Sequence, residues 1–297
     1  MILLDGKKAF DFFIEKIQYE TDLIKKNINE SPCLCTILVG NNYSSKLYVN
    51  KKNSICSKIG FKTHFIHYNN DISEKLLINT IKKINLNKNI DGILVQMPLP
   101  NSINTNNIIL SIDPNKDVDG FHPENLGKMA LGIESYISAT PKGILLLLEY
   151  FNITIKNKHC VIIGRSNIVG KPLSMLLSSN NDNFGNATVT LVHSYTQNIE
   201  TYTRIADVII IAVGIPYFLK ANMIKKNAII IDVGINKIFC KKTNTYKVIG
   251  DVDFNDVKEK SSYISPVPGG VGPMTIIGLL YNTLISFKKK IKYGKTL

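Results

Sequence analysis

The twelve residues from Ser265 to Ile276 read Ser-Pro-Val-Pro-Gly-Gly-Val-Gly-Pro-Met-Thr-Ile, with three prolines and three glycines interleaved. Proline fixes φ and carries no N–H, so such a run forbids both a regular helix and a central strand. The segment reads as a loop built to a shape. Glycine lets backbone approach a ligand closely and proline keeps the loop stiff, which suits a preformed wall of a binding site; a stiff domain linker is the alternative. From Thr275 to Ile285 the pattern becomes apolar and helical, so the loop joins two ordered elements.

Elsewhere strand-like and helical runs alternate, which predicts an α/β protein with parallel sheets. The expected strands are Leu34–Val39, Lys62–Tyr68, Gly92–Gln96, His159–Ile163, Thr188–His193, Val208–Ala212 and Ala228–Val233. At 297 residues the chain suits two domains. The polar stretch Asp113–Gly120 precedes Thr140-Pro141, where threonine as N-cap and proline in the first turn open an apolar helix. The expected division is residues 1–138 plus 270–297 in one domain and residues 139–269 in the other, with Lys237–Lys247 a polar loop.

Apolar residues make up 44% and charged residues 20%, the composition of a globular protein. No run has the length of a membrane span, and the apolar patch after Met1 is too short for a signal peptide, so a cytoplasmic protein is expected. Five cysteines, with no Cys-x-x-Cys pair, suggest reduced thiols and neither a disulfide framework nor a metal site. The net charge of +13 raises the question of nucleic acid. The lysines are spread along the chain beside asparagines, without interleaved arginine and aromatic residues, so a solvated surface is the better reading. The cluster from Lys288 to Lys295 is expected to be a solvated tail.

Two places carry candidate chemistry. His159–Ile163 ends at Gly164-Arg165-Ser166-Asn167-Ile168-Val169-Gly170, after which helical periodicity resumes. Strand, glycine turn and helix form a phosphate-binding arrangement, because N–H groups and the positive dipole end face the ligand. The spacing differs from Gly-x-Gly-x-x-Gly, and an ordinary strand–helix turn stays open. The next strand ends in His193-Ser194-Tyr195 with no carboxylate. An NAD site normally places an acid there; Ser194 and Arg165 would instead suit a 2′-phosphate, which favours NADP.

In the first half, a helical run from Ser44-Ser45 to Ile59, ended by Gly60, puts Tyr48 and Lys52 four residues apart on one face. A lysine beside an aromatic ring and away from water has a lowered pKa suited to proton transfer. Lys51 serves nearly as well on spacing alone, and a solvated surface lysine is the alternative for both. Gln96 stands at the carboxyl end of an apolar strand, where ligands of open α/β sheets collect. Asp117 and Asp119 precede Gly120, and either forms a turn or offers a carboxylate to paired N–H donors of a heterocycle.

Taken in order, Ser45-x-x-Tyr48-Val49-x-x-Lys52, Gly92–Pro100, Lys116-Asp-Val-Asp-Gly120, Gly164-Arg-Ser-x-Ile-Val-Gly170 and Pro266–Thr275 resemble the bifunctional methylenetetrahydrofolate dehydrogenase/methenyltetrahydrofolate cyclohydrolase family over nearly the whole chain. The resemblance implies two α/β domains flanking a cleft, the second a Rossmann-like NADP domain, and a homodimer acting on tetrahydrofolate one-carbon derivatives. It implies that Lys52 is catalytic, that Tyr48 orients the folate, that Gln96 tunes the lysine and that Asp119 binds the pterin. Pro268, Gly269 and Gly270 would line the substrate cleft, and Gly164, Arg165, Ser166, Ile168, Gly170, Ser194 and Ile235 the cofactor. Ala139 stands where the family commonly has cysteine, and Tyr195 where a basic residue often follows Ser194. The formate–tetrahydrofolate ligase domain of larger relatives is not expected. A monofunctional dehydrogenase, to which Tyr48, Lys52 and Gln96 together are contrary, and a noncatalytic RNA-binding protein are the competing readings.

Overall fold

The computed structural model describes residues 1–240 and 244–294. Along the first half run β1 (Ile2–Leu3), α1 (Gly6–Ile28), β2 (Cys33–Val39), α2 (Tyr43–Lys58), β3 (Lys62–Tyr68), α3 (Glu74–Leu86), β4 (Gly92–Val95), α4 (Thr105–Ser111) and α5 (Pro123–Ala130). The second half holds α6 (Ala139–Tyr150), β5 (His159–Ile163), α7 (Gly170–Ser178), β6 (Thr188–Val192), α8 (Ile199–Thr203), β7 (Val208–Ile211) and β8 (Ala228–Asp232). It ends with β9 (Asn236–Cys240), β10 (Thr245–Ile249), α9 (Phe254–Val257), β11 (Ser261–Ile264) and α10 (Val271–Gly294).

Two compact units result. One comprises Phe12–Lys128, Glu134–Ala139 and Leu279–Leu297, the other Met1–Asp11, Met129–Ile133 and Thr140–Gly278. The first holds a three-stranded parallel sheet, β3-β2-β4, with the seven residues of β2 all buried. Cys35, Ile37 and Val39 on one face of β2 meet Leu77, Ile81 and Ile84 of α3 and Ile108 of α4. Strands buried on both faces read as continuous apolar runs, which is why β2 was visible in the sequence.

The expected solvated basic tail is instead the end of a helix that staples this unit. Lys290 Nζ lies 2.6 Å from the buried carboxylate of Asp91, Lys289 Nζ lies 3.0 Å from Glu134, and Lys288 pairs with Glu20. One turn earlier Ser286 Oγ donates to Asp91 O at 2.6 Å, and a turn before that Asn282 Nδ2 donates to Val118 O and Ile137 O. The carboxylates that meet these lysines on other elements are a reason for lysine there that needs no tail. Lys295 lies outside the described residues.

The second unit holds a six-stranded parallel sheet in the order β1-β11-β8-β7-β5-β6. Val161, Ile163, Ile209, Ile211 and Ile230 form its buried centre. Pairing of β1 with β11 groups residues 1–11 with this sheet, and the helical turns up to Gly278 group with it too. That division differs from an expected first domain of 1–138 plus 270–297. Two-residue β1 and four-residue β11 are too short for periodicity to reveal.

The stretch Lys237–Lys247, expected as a polar loop, instead contributes to the antiparallel hairpin β9–β10, with Lys241–Thr243 outside the described residues. Phe239 and Tyr246 are direct partners in it, with ring centroids 5.3 Å apart, and cross-strand aromatic pairs of this kind hold a hairpin despite flanking lysines. The helix expected from Thr275 begins at Val271, so Pro273 falls in its first turn, where an N–H has no intrahelical partner to lose. A Cβ at Gly143 would lie 2.5 Å from the backbone of Met274, so α6 and the start of α10 cross in direct backbone contact. Thr140 is inside α6, which already begins at Ala139, rather than its cap. Cys33, Cys35, Cys56 and Cys160 are free and buried. No helix among the described residues is long and apolar enough to cross a membrane.

Candidate active site

Helix α2 of the three-stranded unit is capped by Asn42, whose Oδ1 accepts from Ser45 N at 3.1 Å. It ends at Gly60, whose φ of +82° is the left-handed conformation that terminates helices. Lys51 is exposed whereas Lys52 is 5% exposed, so only the latter is withdrawn from water. Lys52 Nζ stands 4.3 Å from the centroid of the Tyr48 ring, one turn earlier on the same face, and 3.1 Å from Gln96 Oε1. Gln96 follows β4 directly. Its backbone N–H donates to Ile37 O at 2.9 Å and its Nε2 donates to Met97 O at 2.7 Å. With the amide nitrogen used on a carbonyl, the amide oxygen is the atom left to face the lysine.

Burial pushes the Lys52 ammonium down to about 8, with the Asp119 carboxylate opposing the shift. Burial likewise pushes Asp119 up to about 7, against the attraction of Lys52 and with the repulsion of Asp117. Asp119 as a whole residue is half-buried. The Tyr48 phenol is raised, first by burial and then by Asp119, and stays protonated. The Cys56 thiol, a further turn along α2, is pushed up to about 12 by burial and stays neutral.

The two aspartates before Gly120 divide the work. Asp117 Oδ2 accepts from His122 N at 2.8 Å and from Asn125 Nδ2 at 3.0 Å, which closes the turn. The Asp119 carboxylate accepts no hydrogen bond among the described residues; only its backbone oxygen does, from Ala139 N at 3.2 Å. Gly120 has φ +73°, and a Cβ there would lie 2.7 Å from Ser138 N, so the turn that presents Asp119 admits only glycine.

In the six-stranded unit the sheet order turns at β5, which has β6 on one side and β7 on the other. Ligands of such sheets bind outside the carboxyl ends at this switch point. Gly164 leaves β5 with φ +116°, and a Cβ on it would be 2.4 Å from Ala212 O. A Cβ on Gly170 would be 1.9 Å from Gly164 O. Between them Arg165, Ser166 and Ile168 are exposed, Ser166 Oγ accepts from Val169 N at 3.2 Å, and α7 starts without a side-chain cap. Its positive dipole end and the Gly170 N–H fit a phosphate, whereas Lys171 N already donates to Ser166 O at 3.1 Å and Pro172 has no N–H. Ser194 is exposed just beyond β6, and the Arg165 guanidinium lies 5.6 Å from the Tyr195 ring. His193 Nδ1 accepts from Tyr195 N at 3.3 Å, a local turn contact. Ile235 is exposed beyond β8.

Pro268, Gly269 and Gly270 lie in this same unit, in the loop before α10. Gly269 has φ +106°, and a Cβ on Gly6, at the start of α1, would fall 1.8 Å from Gly270 O. Part of the loop's glycine requirement is thus close approach to the chain's own backbone, and Gly6 was not singled out in the sequence. Asp232 and Asp251, both buried, were also passed over. Each stands next to an apolar run and near a glycine, in Asp232-Val-Gly234 and Gly250-Asp251, which is the signal that points to them.

Comparison with known proteins places these sites in a family. Residues 4–119 match the model of the tetrahydrofolate dehydrogenase/cyclohydrolase catalytic domain, and residues 138–291 that of the tetrahydrofolate dehydrogenase/cyclohydrolase NAD(P)-binding domain. The chain is 49% identical over 292 residues to the bifunctional protein FolD of Flavobacterium psychrophilum, covering 98% of this chain and 99% of that one. It is similar to the crystal structure of the Campylobacter jejuni bifunctional enzyme FolD, methylenetetrahydrofolate dehydrogenase/cyclohydrolase, at 43% identity and TM-score 0.91, with 97% and 99% of the two chains covered. It is also similar to the Trypanosoma brucei N5,N10-methylenetetrahydrofolate dehydrogenase-cyclohydrolase complexed with NADP cofactor and inhibitor, at 31% identity and TM-score 0.92, with 98% of each chain covered.

Proposed function

Because this chain belongs to the tetrahydrofolate dehydrogenase/cyclohydrolase family, we infer that it oxidises 5,10-methylenetetrahydrofolate with NADP⁺ and hydrolyses the resulting methenyl form to 10-formyltetrahydrofolate. The observation that carries the residue assignment is the buried Lys52, held 3.1 Å from Gln96 Oε1 and 4.3 Å from the Tyr48 ring.

NADP⁺, when bound, supplies the hydride acceptor. The glycine turn Gly164–Gly170 and the uncapped start of α7 fit its pyrophosphate, and Arg165 and Ser194 its 2′-phosphate. Ser166, Ile168 and Ile235 complete the assigned cofactor residues. The substrate's own nitrogen lone pairs drive hydride loss from its one-carbon bridge, so the protein's task in that step is positioning. Tyr48 and Asp119 are assigned to it: the ring as a platform, the carboxylate as acceptor for paired pterin N–H groups. Pro268, Gly269 and Gly270 are assigned to the substrate wall.

Hydrolysis needs a proton moved. Water adds to the methenyl carbon, and neutral Lys52 Nζ takes the proton that water gives up. The ring opens as the bond from that carbon to N5 breaks, N5 receives a proton from the ammonium, and the carbinol hydroxyl gives its remaining proton to solvent as it becomes the formyl carbonyl, so one proton is released overall. With a pKa of about 8, roughly a tenth of Lys52 is neutral at pH 7, and a cationic substrate alongside raises that share. Gln96 holds the ammonium in place through its amide oxygen.

A cytoplasmic homodimer that works without nucleic acid belongs to the same reading and rests on the family resemblance and on the dispersed lysines. The test of the reaction is the absorbance of methenyltetrahydrofolate during turnover of methylenetetrahydrofolate with NADP⁺ or NAD⁺, read before and after acid reconverts any 10-formyl product. Reduced cofactor with 10-formyl product is expected, faster with NADP⁺. Reduced cofactor with accumulating methenyl means dehydrogenase alone, and no reduction contradicts the assignment.

A further inference from the structure

Two buried carboxylates in the six-stranded unit have no part in the chemistry above. Asp251 is 0% exposed and Asp232 is 3% exposed. Asp251 Oδ2 accepts from the backbone N–H groups of Val213 at 2.7 Å and Gly214 at 2.9 Å, and its Oδ1 accepts from Asn236 Nδ2 at 2.8 Å. Asp232 Oδ1 accepts from Gly234 N at 2.9 Å and Asp251 N at 3.0 Å, and its Oδ2 accepts from Val252 N at 2.9 Å. All six partners are donors, and none of the ion pairs found among the described residues reaches either carboxylate. Two glycines make room: a Cβ on Gly234 would lie 2.3 Å from Asp251 Cγ, and one on Gly250 1.8 Å from Asp232 Oδ2.

The donors come from separate segments that share one place in the fold. Val213 and Gly214 follow β7, and Gly234 and Asn236 follow β8, all at carboxyl ends of the parallel sheet. The β7 segment borders the switch point, because Ala212 O is the atom a Gly164 Cβ would strike at 2.4 Å. Packing alone would be served by apolar side chains, since buried carboxylates are costly to desolvate. What carboxylates add is a fixed acceptor for main-chain N–H groups that no strand satisfies.

We propose that Asp251, braced by Asp232, is a positioning residue for the dinucleotide: it locks the segment after β7 and the segment after β8, with Ile235, into the wall that receives NADP. This rests on the assignment of the six-stranded unit to NADP. Small displacements of such a wall are felt strongly, because about 1 Å of misplacement can lower a rate ~100-fold.

The test compares NADP⁺ affinity by calorimetry, the dehydrogenase KM for folate and for NADP⁺, and cofactor-free hydrolysis of methenyltetrahydrofolate in wild type and Asp251→Ala. The alanine variant is expected to weaken NADP⁺ at least ~10-fold, with methenyl hydrolysis and the folate KM within about twofold of wild type. Asp251→Asn, whose single amide oxygen can take the place of Oδ2 and accept both backbone N–H groups while the Asn236 amide turns over to meet its nitrogen, is expected to recover NADP⁺ affinity to within about threefold. An Asp251→Ala protein that hydrolyses methenyltetrahydrofolate normally and binds NADP⁺ like wild type overturns the proposal. Should that variant not fold, Asn236→Ala, which removes one side-chain donor, is expected to weaken NADP⁺ about threefold, and unchanged affinity overturns the proposal instead. Wild type that binds no NADP⁺ overturns the nucleotide assignment itself.

Discussion

The lysine site of the three-stranded unit and the glycine site of the six-stranded unit are made of opposite materials. Around Lys52 the working atoms belong to side chains, and two of the charges are left incompletely satisfied: Lys52 has one amide oxygen and the Asp119 carboxylate accepts nothing among the described residues. At Gly164 and Gly170 themselves side chains are absent because Cβ atoms would collide with backbone, and the pyrophosphate is left to main chain and the positive end of the α7 dipole. The contrast follows from the two tasks. Moving a proton needs a group whose charge can change near neutral pH, which burial provides at a cost in stability. Holding a pyrophosphate needs fixed dipoles and no titration.

The largest expected effect that sharpens this contrast is from Lys52→Met. Loss of the proton acceptor should lower methenyl hydrolysis ~100-fold or more, while dehydrogenation, which asks for position, falls much less. Rates of both steps measured on one preparation check this, and equal losses would erase the distinction. Gly170→Ala attacks the other site. Its methyl group would lie 1.9 Å from Gly164 O, and no rotamer relieves a backbone clash, so it should destabilise by about 1–3 kcal/mol. NADP-dependent turnover should fall more than 10-fold in a protein that still hydrolyses methenyltetrahydrofolate, with thermal melting and the two assays as readouts.

A smaller effect tests the cost of the lysine site. The folded pKa of Lys52 is lowered from 10.5 to about 8. The folded state therefore binds fewer protons than the unfolded chain between those values, and stability rises with pH across that window. Below about 8 the penalty of the buried charge is present in full. At pH 7 Lys52→Met should accordingly be more stable than wild type by ~1–3 kcal/mol, an advantage that shrinks as pH approaches 10. Chemical denaturation at pH 7 and pH 9.5 checks it; a less stable variant at pH 7 would mean that the contacts to Gln96 and Tyr48 outweigh the desolvation.

The sequence disclosed the side-chain site more fully than the backbone one. Tyr48, Lys52 and Gln96 could be singled out because helical spacing and a strand end dictate where they point, though spacing alone did not separate Lys51 from Lys52; burial did. The long buried strands were legible within a residue or two for the same reason. What hid were features set by pairing at a distance. Strand β1 exists because β11 is beside it, and the hairpin β9–β10 because Phe239 meets Tyr246 across it. The C-terminal lysines look solvated until Asp91, Glu134 and Glu20 are placed beside them. Asp232 and Asp251 resemble turn formers in one dimension, and only in three does each collect donors from other segments.

The claim that a buried, partly neutral lysine performs the proton chemistry is tested most directly by the pH dependence of kcat/KM for methenyl hydrolysis, which reports the free enzyme, corrected for the uncatalysed rate. The neutral fraction of Lys52 grows as pH rises through about 8, so the enzymatic rate should climb tenfold per unit below that value and level off above it. The inflection belongs to the coupled Lys52–Asp119 pair rather than to one group. The profile should be absent in Lys52→Met. A wild-type rate that is flat from pH 6 to 9, or a Lys52→Met enzyme that keeps the same inflection, contradicts the account.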